Sequence, residues 1–481
     1  MRKHSRAIVA IASFGIAAVA TSITAFADVV GQSIGTDLGV DATYGGGLGY
    51  TVVNYNDADG TWDEVVRLIP ADGGATWMVG FHRTDATGDR IAISRLDADG
   101  VLDPTYGSGG KQFADTGIGQ VRDAVRVGDR FYVAGIHYLD TPGLGDAGVA
   151  CFMLNGIPCV GFGIGGTVEL ALAASGFNSD AARILHRDGA LYVVGNTDPG
   201  GASGHSSDIV VAKLDAGTGA LDAGFGDGSG PLPGSRVYSL DLVADGSDFA
   251  YAAAFAANGD VLVGGSAQGD RGSEGYVLAI NAATGAPDNA FGAAGYVMYS
   301  MNTGVHFDDL SIHAIQVAAD GHFVAAGNAN HDDEFFNTIT TVLLVSAQPD
   351  GTPTPGFGVA GLSHVEVGVN TSVTDLAVRA NGDLVVSTPS NGITPNPYNG
   401  DTLQSIVQFD ATGDGPTSTV SIEYPSLVTP QGWPMTLLID ASDRVLVGGF
   451  RLWDFNFPVP DSDHVVTRLV RDHIFADGFD A

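Results

Sequence analysis

Residues 95–111 read Arg-Leu-Asp-Ala-Asp-Gly-Val-Leu-Asp-Pro-Thr-Tyr-Gly-Ser-Gly-Gly-Lys. The run that enters this stretch, Arg90-Ile-Ala-Ile-Ser-Arg-Leu96, is short, apolar and β-branched, which reads as a strand. Asp97-Ala-Asp-Gly100 is a turn signal, and Asp103-Pro-Thr-Tyr106-Gly107 sets one aromatic directly before glycine. The same aromatic-Gly step recurs at Tyr44-Gly45, Phe162-Gly163, Phe225-Gly226, Phe291-Gly292 and Phe357-Gly358.

A second element recurs between these steps, an apolar triplet ending in glycine. It reads Trp77-Met-Val-Gly80, Tyr132-Val-Ala-Gly135, Tyr192-Val-Val-Gly195, Leu262-Val-Gly-Gly265, Val324-Ala-Ala-Gly327 and Leu446-Val-Gly-Gly449, with a degenerate copy at Leu384-Val-Val-Ser387. The seven copies lie 55 to 70 residues apart. One unit therefore reads strand, turn, strand ending in Gly, loop, strand, turn, aromatic-Gly, strand. About sixty residues accommodate four short strands and one long loop. No sustained 3.6-residue periodicity with caps appears, so an all-β fold with little helix is expected. A lone four-stranded sheet exposes two apolar faces, and radial stacking covers them while leaving few free edges.

The ends of the repeat array complement each other. Tyr44-Gly45 has no Gly triplet before it, and the copy containing Gly449 lacks an aromatic-Gly half after Val465-Val-Thr-Arg-Leu469. The expectation is a seven-bladed β-propeller over residues 28–470, closed by an N-terminal strand that completes the last blade. An open solenoid would need capping repeats instead.

The unit at 95–111 resembles the delta-60 repeat of secreted bacterial proteins. The resemblance covers most of residues 34–470, is strongest near 103 and 222, and is weakest over 387–420, where Ser387 replaces Gly and the aromatic-Gly step is missing. It implies propeller blades and carries no catalytic motif, so it transfers no active-site residues. The glycines are expected at bends, through positive φ or close strand approach, and the aromatics between blades.

Composition bounds the function. The 481 residues hold 69 Gly and only 16% charged residues, with 21 Lys+Arg against 55 Asp+Glu and a formal charge of −34. A chain this acidic offers no basic surface to neutralise nucleic-acid phosphates or to hold an anionic membrane. Residues 1–27 read as a secretory signal peptide: Arg2, Lys3 and Arg6, then the apolar run Ala7–Ala20, then Ala25-Phe-Ala27 before the cleavage point. The mature chain from Asp28 would carry 18 basic and 55 acidic residues, a charge of −37, with no further stretch long and apolar enough to span a membrane. Secretion or a Gram-negative periplasm is the expected compartment, and a monomer the expected state. The two cysteines, Cys151 and Cys159, suit one disulfide across the Asn155-Gly156 turn. Their spacing lacks the C-x-x-C of a redox pair.

The search for chemistry finds no H-E-x-x-H, G-x-S-x-G, P-loop or paired-Cys metal spacing. His331-Asp-Asp-Glu334 reads as a solvated polar loop, and Asp57-Ala-Asp-Gly60 and Asp97-Ala-Asp-Gly100 as turns that fail the full EF-hand pattern. Asp215-Ala-Gly-Thr-Gly219 and Asn281-Ala-Ala-Thr-Gly285 look like turns of quinoprotein propellers, but the tryptophan that would follow is missing. No cofactor or metal is expected. Two residues after the Gly triplet stand His82, His137 and Arg451, in copies that a closed ring makes consecutive. That register proposes them as a weak anion site. The tail 471–481, with Ile474-Phe475 and Gly478-Phe479, reads equally as an ending of exported proteins or as a decayed half-repeat. The function these features favour is a non-catalytic binding or interaction module for a protein or carbohydrate. The alternatives are a hydrolase or lyase with a site in the central channel, and a structural envelope protein.

Overall fold

The computed structural model describes residues 31–34, 38–55, 62–84, 88–115, 117–138, 144–198, 200, 207–270, 272–300, 309–332, 338–367, 372–390, 403–424, 431–454 and 461–471. The expected signal peptide, the turn at 57–60, the tail after Arg471 and the side chains of the 331–334 cluster lie outside them. His331 and Asp332 themselves end a strand, Phe323–Asp332, rather than sitting in a loop.

The described chain forms seven antiparallel meander sheets. Blade one comprises Trp62–Pro70, Thr76–Thr84, Gly88–Leu96 and Lys111–Ala114. Blade two comprises Ile118–Val127, Arg130–Tyr138, Gly145–Met153 and Thr167–Leu170, and blade three Ser179–Arg187, Ala190–Thr197, Asp208–Asp215 and Ser235–Tyr238. Blade four runs Asp248–Phe255, Val261–Gly269, Gly272–Ile280 and Tyr296–Tyr299, and blade five Asp309–Val317, Phe323–Asp332, Thr338–Ala347 and Leu362–Val365. Blade six holds Asp375–Val378, Leu384–Ser390, Leu403–Phe409 and Pro416–Ile422, and blade seven Gln431–Ile439, Val445–Asp454 and Asp461–Val470. The first strand of each blade packs against the first strands of both neighbours, and that of blade seven meets that of blade one, so the ring is closed. The chain is a seven-bladed β-propeller.

The N-terminal segment closes it as the repeat ends require. Gly39–Val40 and Tyr50–Val53 both pair antiparallel with Asp461–Val470, and Tyr44-Gly45 lies between them. The segment thus supplies the whole missing half-repeat of blade seven. A second contact was not legible in the sequence. Gly31–Ile34 pairs with Pro416–Ile422 and adds a fifth strand to blade six, so one segment ties the two blades together.

The Gly triplets have a steric cause. In six blades the first strand carries a one-residue bulge opposite the triplet glycine, for example between Val65 and Arg67 facing Gly80 and between Ala181 and Arg183 facing Gly195. The bulge drives the preceding carbonyl across the pair. A Cβ on Gly195 would lie 1.9 Å from the Asp180 oxygen, and one on Gly327 would lie 1.7 Å from the Ser311 oxygen. These glycines do not have positive φ; the close approach alone demands them. Blade six proves the rule by exception: Asp375 pairs with Ser387 in regular register, and a side chain fits.

The aromatic-Gly step joins blades. Tyr44, Phe162, Phe225, Phe291 and Phe357 are buried. The glycine after each donates its N–H to a turn carbonyl of the next blade (Asp99, Thr218, Thr284, Asp350 and Thr412) at 2.8–2.9 Å. The glycine ending that turn leaves room for the ring: a Cβ on Gly413 would meet the Phe357 ring at 2.6 Å. Each of the seven apolar clusters spans an interface between neighbouring blades, so core formation and ring closure are one process. Cys151 and Cys159 form the expected disulfide, buried in the cluster between blades two and three.

Candidate functional site

Of the three residues nominated by register, His82 is fully buried, as are Thr197, Ala267 and Ala329 at the matching positions, while His137 and Arg451 are partly exposed. His82 Nδ1 lies 2.5 Å from Asp63 Oδ1, with Tyr55 and Phe113 packed around the ring. Burial closes His82 to a dissolved anion. Arg451 donates to Asp463 at 3.0 Å, and His137 Nδ1 lies 3.7 Å from Glu169. Each of the three already faces a carboxylate, which opposes anion binding there. Asp97 behaves as a turn residue, its carboxylate accepting from the N–H groups of Asp99 and Val101 at 3.0 and 2.8 Å. Among the described residues no cluster of three metal-ligating side chains forms.

The bulges that explain the glycines also build the central channel. Val66, Arg122, Ala182, Tyr251, His313 and Met435 are the bulged residues of six blades, and all of them line one cavity of about 400 Å³ on the propeller axis. An extra residue in one strand of a pair re-aims its side chain out of the ladder. Arg67 and Arg183, the carboxyl groups of Glu64, Asp180 and Asp375, and Gln120 add to the polar lining. For a protein of charge −34, three arginines in one cavity are a concentration of basic groups that composition does not foretell.

The three arginines differ. Arg67 donates Nε and Nη2 to Asp123 Oδ1 at 2.7 and 2.5 Å, and its Nη1 lies 4.0 Å from Asp375 Oδ2. Burial opposes its charge, but these two carboxylates outweigh it and raise its pKa. The carboxylates also bridge blades. Asp123 accepts the Ile184 N–H of blade three at 3.0 Å, and Asp375 accepts the Leu437 N–H of blade seven at 2.8 Å. Arg67 is thus a structural ion-pair member. Arg183 donates to the carbonyls of Ala182 and His313 at 2.9 and 3.3 Å and makes no ion pair among the described residues. Burial and the neighbouring arginines lower its pKa, with Asp123 and Asp375 opposing. Arg122 is exposed to the channel, with neither hydrogen bond nor ion pair among the described residues.

Aromatic rings flank them. Tyr251 stacks on His313 with centroids 4.8 Å apart and 6° between planes, and Phe249 lies parallel to Tyr251 at 6.0 Å and 10°. His313 Nε2 meets Ser311 Oγ at 2.8 Å, and burial together with Arg183 pushes its pKa down to about 4. Burial raises the Glu64 carboxyl above its ordinary range, although Trp62 and two arginines favour the anion. A second cavity of about 490 Å³ adjoins the channel, sharing Gln120, Asp180, Asn196 and Tyr251 and reaching out to Tyr138. Sequence reasoning missed this site because the bulge that aims Arg122, Tyr251 and His313 inward is set by strand pairing. The available signal was the Gly triplet, which marks the facing bulge.

No family model matches the sequence, and no curated protein matches it. Solved structures similar to the chain include a PL25 ulvan lyase bound to -[GlcA(1-4)Rha3S]-, at 13% identity over 88% of this chain and 96% of that chain, TM-score 0.48. The polysaccharide lyase Uly1 is similar at 10% identity over 85% and 90%, TM-score 0.43. The β-propeller domain of the Trilobed protease from Pyrococcus furiosus, described as having an open velcro topology, is similar at 8% identity over 88% and 100%, TM-score 0.40. At such identities the likeness concerns the propeller fold alone.

Proposed function

We propose that the chain is an exported binding protein of the delta-60 repeat kind, and that its ligand site is the central channel, where an anionic group is recognised. The observation that carries the reading is the pair Arg122 and Arg183: two guanidinium groups that make no ion pair among the described residues, in one cavity of an otherwise acidic protein. Guanidinium forks suit carboxylate and sulfate, and a concave, partly apolar cavity strengthens such contacts by excluding water. The paired arginine, Arg67, positions the wall rather than the ligand. The test is calorimetric titration of the mature protein with glucuronate and with sulfate, alongside Arg122→Gln/Arg183→Gln. Salt-sensitive binding that weakens about tenfold or more in the double variant, roughly 1.4 kcal/mol, supports the reading. Binding of neither anion at millimolar concentration refutes it.

A catalytic reading, hydrolase or lyase, is favoured by one observation. Glu64, whose carboxyl burial pushes toward the protonated form, shares the channel with the carboxylate of Asp180. A buried carboxyl with a raised pKa in a cleft is the raw material of general-acid chemistry. Release of reducing ends or of unsaturated products from acidic polysaccharides, lost in Glu64→Gln, would establish it.

A further inference from the structure

The second cavity adds more than volume. It opens from the channel across blades two, three and four, and its lining changes character along the way. At the inner end stand the guanidinium groups of Arg122 and Arg183 together with Glu64. In the shared middle stand Gln120 and Asp180. Asp180 Oδ1 accepts from Asn196 Nδ2 at 2.9 Å, while its second oxygen and the Gln120 amide have no protein partner among the described residues. At the outer end the lining includes Phe249, Tyr251 and Tyr138, a residue 51% exposed. An exposed large aromatic beside unpartnered polar groups is the anatomy of a ligand groove.

We propose that this groove and the channel together form one extended site for an acidic oligosaccharide, with a uronate carboxylate on Arg122 and Arg183 and further sugar rings laid outward against Tyr138 and the Phe249–Tyr251 wall. The inference rests on the channel reading and extends it. The chemistry selects the class. A simple anion would leave the free oxygen of Asp180 without a donor, whereas sugar hydroxyls donate to carboxylates and accept from guanidinium groups and amides. Sugar C–H faces match flat aromatic surface, and Phe249 and Tyr251 are preset by stacking, so little ordering entropy is lost on that wall. The first strands of blades two to four are the inner edges of their sheets, each paired on one side only, so a peptide added as a strand is the competing occupant, and the tetra-glutamate arm below tests against it. Each cavity has the size of a small-molecule site, roughly 300–1,000 Å³, so the joined cleft admits more than one sugar residue.

The experiment titrates the mature protein with monomeric uronates and with their tetramers in gluco, galacto, manno and gulo configurations. A neutral glucan tetramer and tetra-glutamate are the comparison arms, and the variants are Tyr138→Ala and Arg122→Gln/Arg183→Gln. Tyr138 is exposed, so its truncation leaves the fold intact. The expected result is a tetra-uronate that binds about tenfold or more tighter than its monomer. Tyr138→Ala should remove that gain while leaving monomer binding unchanged, and the double arginine variant should weaken both. Monomer binding without any tighter tetramer overturns the extended groove but leaves the channel reading standing. Loss of monomer binding altogether overturns the channel reading first. Tetra-glutamate binding as tightly as the best tetra-uronate, or the neutral tetramer doing so, overturns the acidic-saccharide assignment.

Discussion

Replacing Gly195 with Ala tests the link between sequence motif and channel. A Cβ there would stand 1.9 Å from the Asp180 carbonyl oxygen and 2.9 Å from its carbon. Ordinary carbon–oxygen contact is near 3.2 Å, so the strands must separate by about 1 Å or the bulge must flatten. Overpacking of this kind costs roughly 1–3 kcal/mol, and each ladder hydrogen bond lost adds about 1 kcal/mol. The expected loss is about 3 kcal/mol. With an unfolding entropy of about 2.1 cal/mol/K per residue over 481 residues, melting should fall by about 3 °C if the ring unfolds as a unit. The control is Ser387→Ala in the blade whose first strand carries no bulge, where a side chain is already accommodated and the Ser387 Oγ contacts with Thr374 at 2.8 Å and with the Asp375 carbonyl at 3.5 Å are lost, about 1 kcal/mol. Calorimetric melting and urea midpoints of both variants decide the matter. Equal, small effects would refute the steric argument. A flattened bulge should also withdraw the Ala182 and Arg183 segment from the channel wall and weaken anion binding in Gly195→Ala but not in Ser387→Ala.

Truncation before Leu38 removes the fifth strand of blade six and should lower melting modestly; truncation through Val53 strips Asp461–Val470 of both pairing segments and should cause aggregation, visible by size-exclusion chromatography. Cys151→Ser/Cys159→Ser opens a loop with a sequence separation of 8 and should cost about 2–3 kcal/mol, matched in the native protein by adding reductant during thermal unfolding. Burial holds His464 at about 4, while its Nε2 meets the Phe81 carbonyl at 3.1 Å. The unfolded chain takes up that proton near the ordinary value of 6.5 and the native ring only near 4, so this residue's contribution is whole above 6.5 and is lost as pH falls toward 4. That loss is on the order of 3 kcal/mol at the acid end. His464→Gln should flatten the urea-midpoint profile in that window, and an unchanged profile would refute the assignment.

The sequence by itself determined the number of blades, the register of the repeat and the way the ring closes, because each depends on local sterics. Gly80, Gly135 and Gly195 answer a carbonyl pressed against them, and Phe225 or Phe291 fills one interface each, so these marks survive while surface residues vary between copies. The disulfide was legible for the same reason, a turn at Asn155-Gly156 bringing two near neighbours together. The fifth strand at Gly31–Ile34 was not, since a β-edge accepts many sequences and nothing local names its partner. The site was decided by tertiary structure alone. Register placed His82, His137 and Arg451 in equivalent positions, but equivalence in a blade says nothing of exposure: His82 is fully buried while His137 and Arg451 are partly exposed. Arg122, Arg183, Tyr251 and His313 are separated by up to three blades of chain, share no motif, and meet only because bulges in four different strands turn them toward one axis.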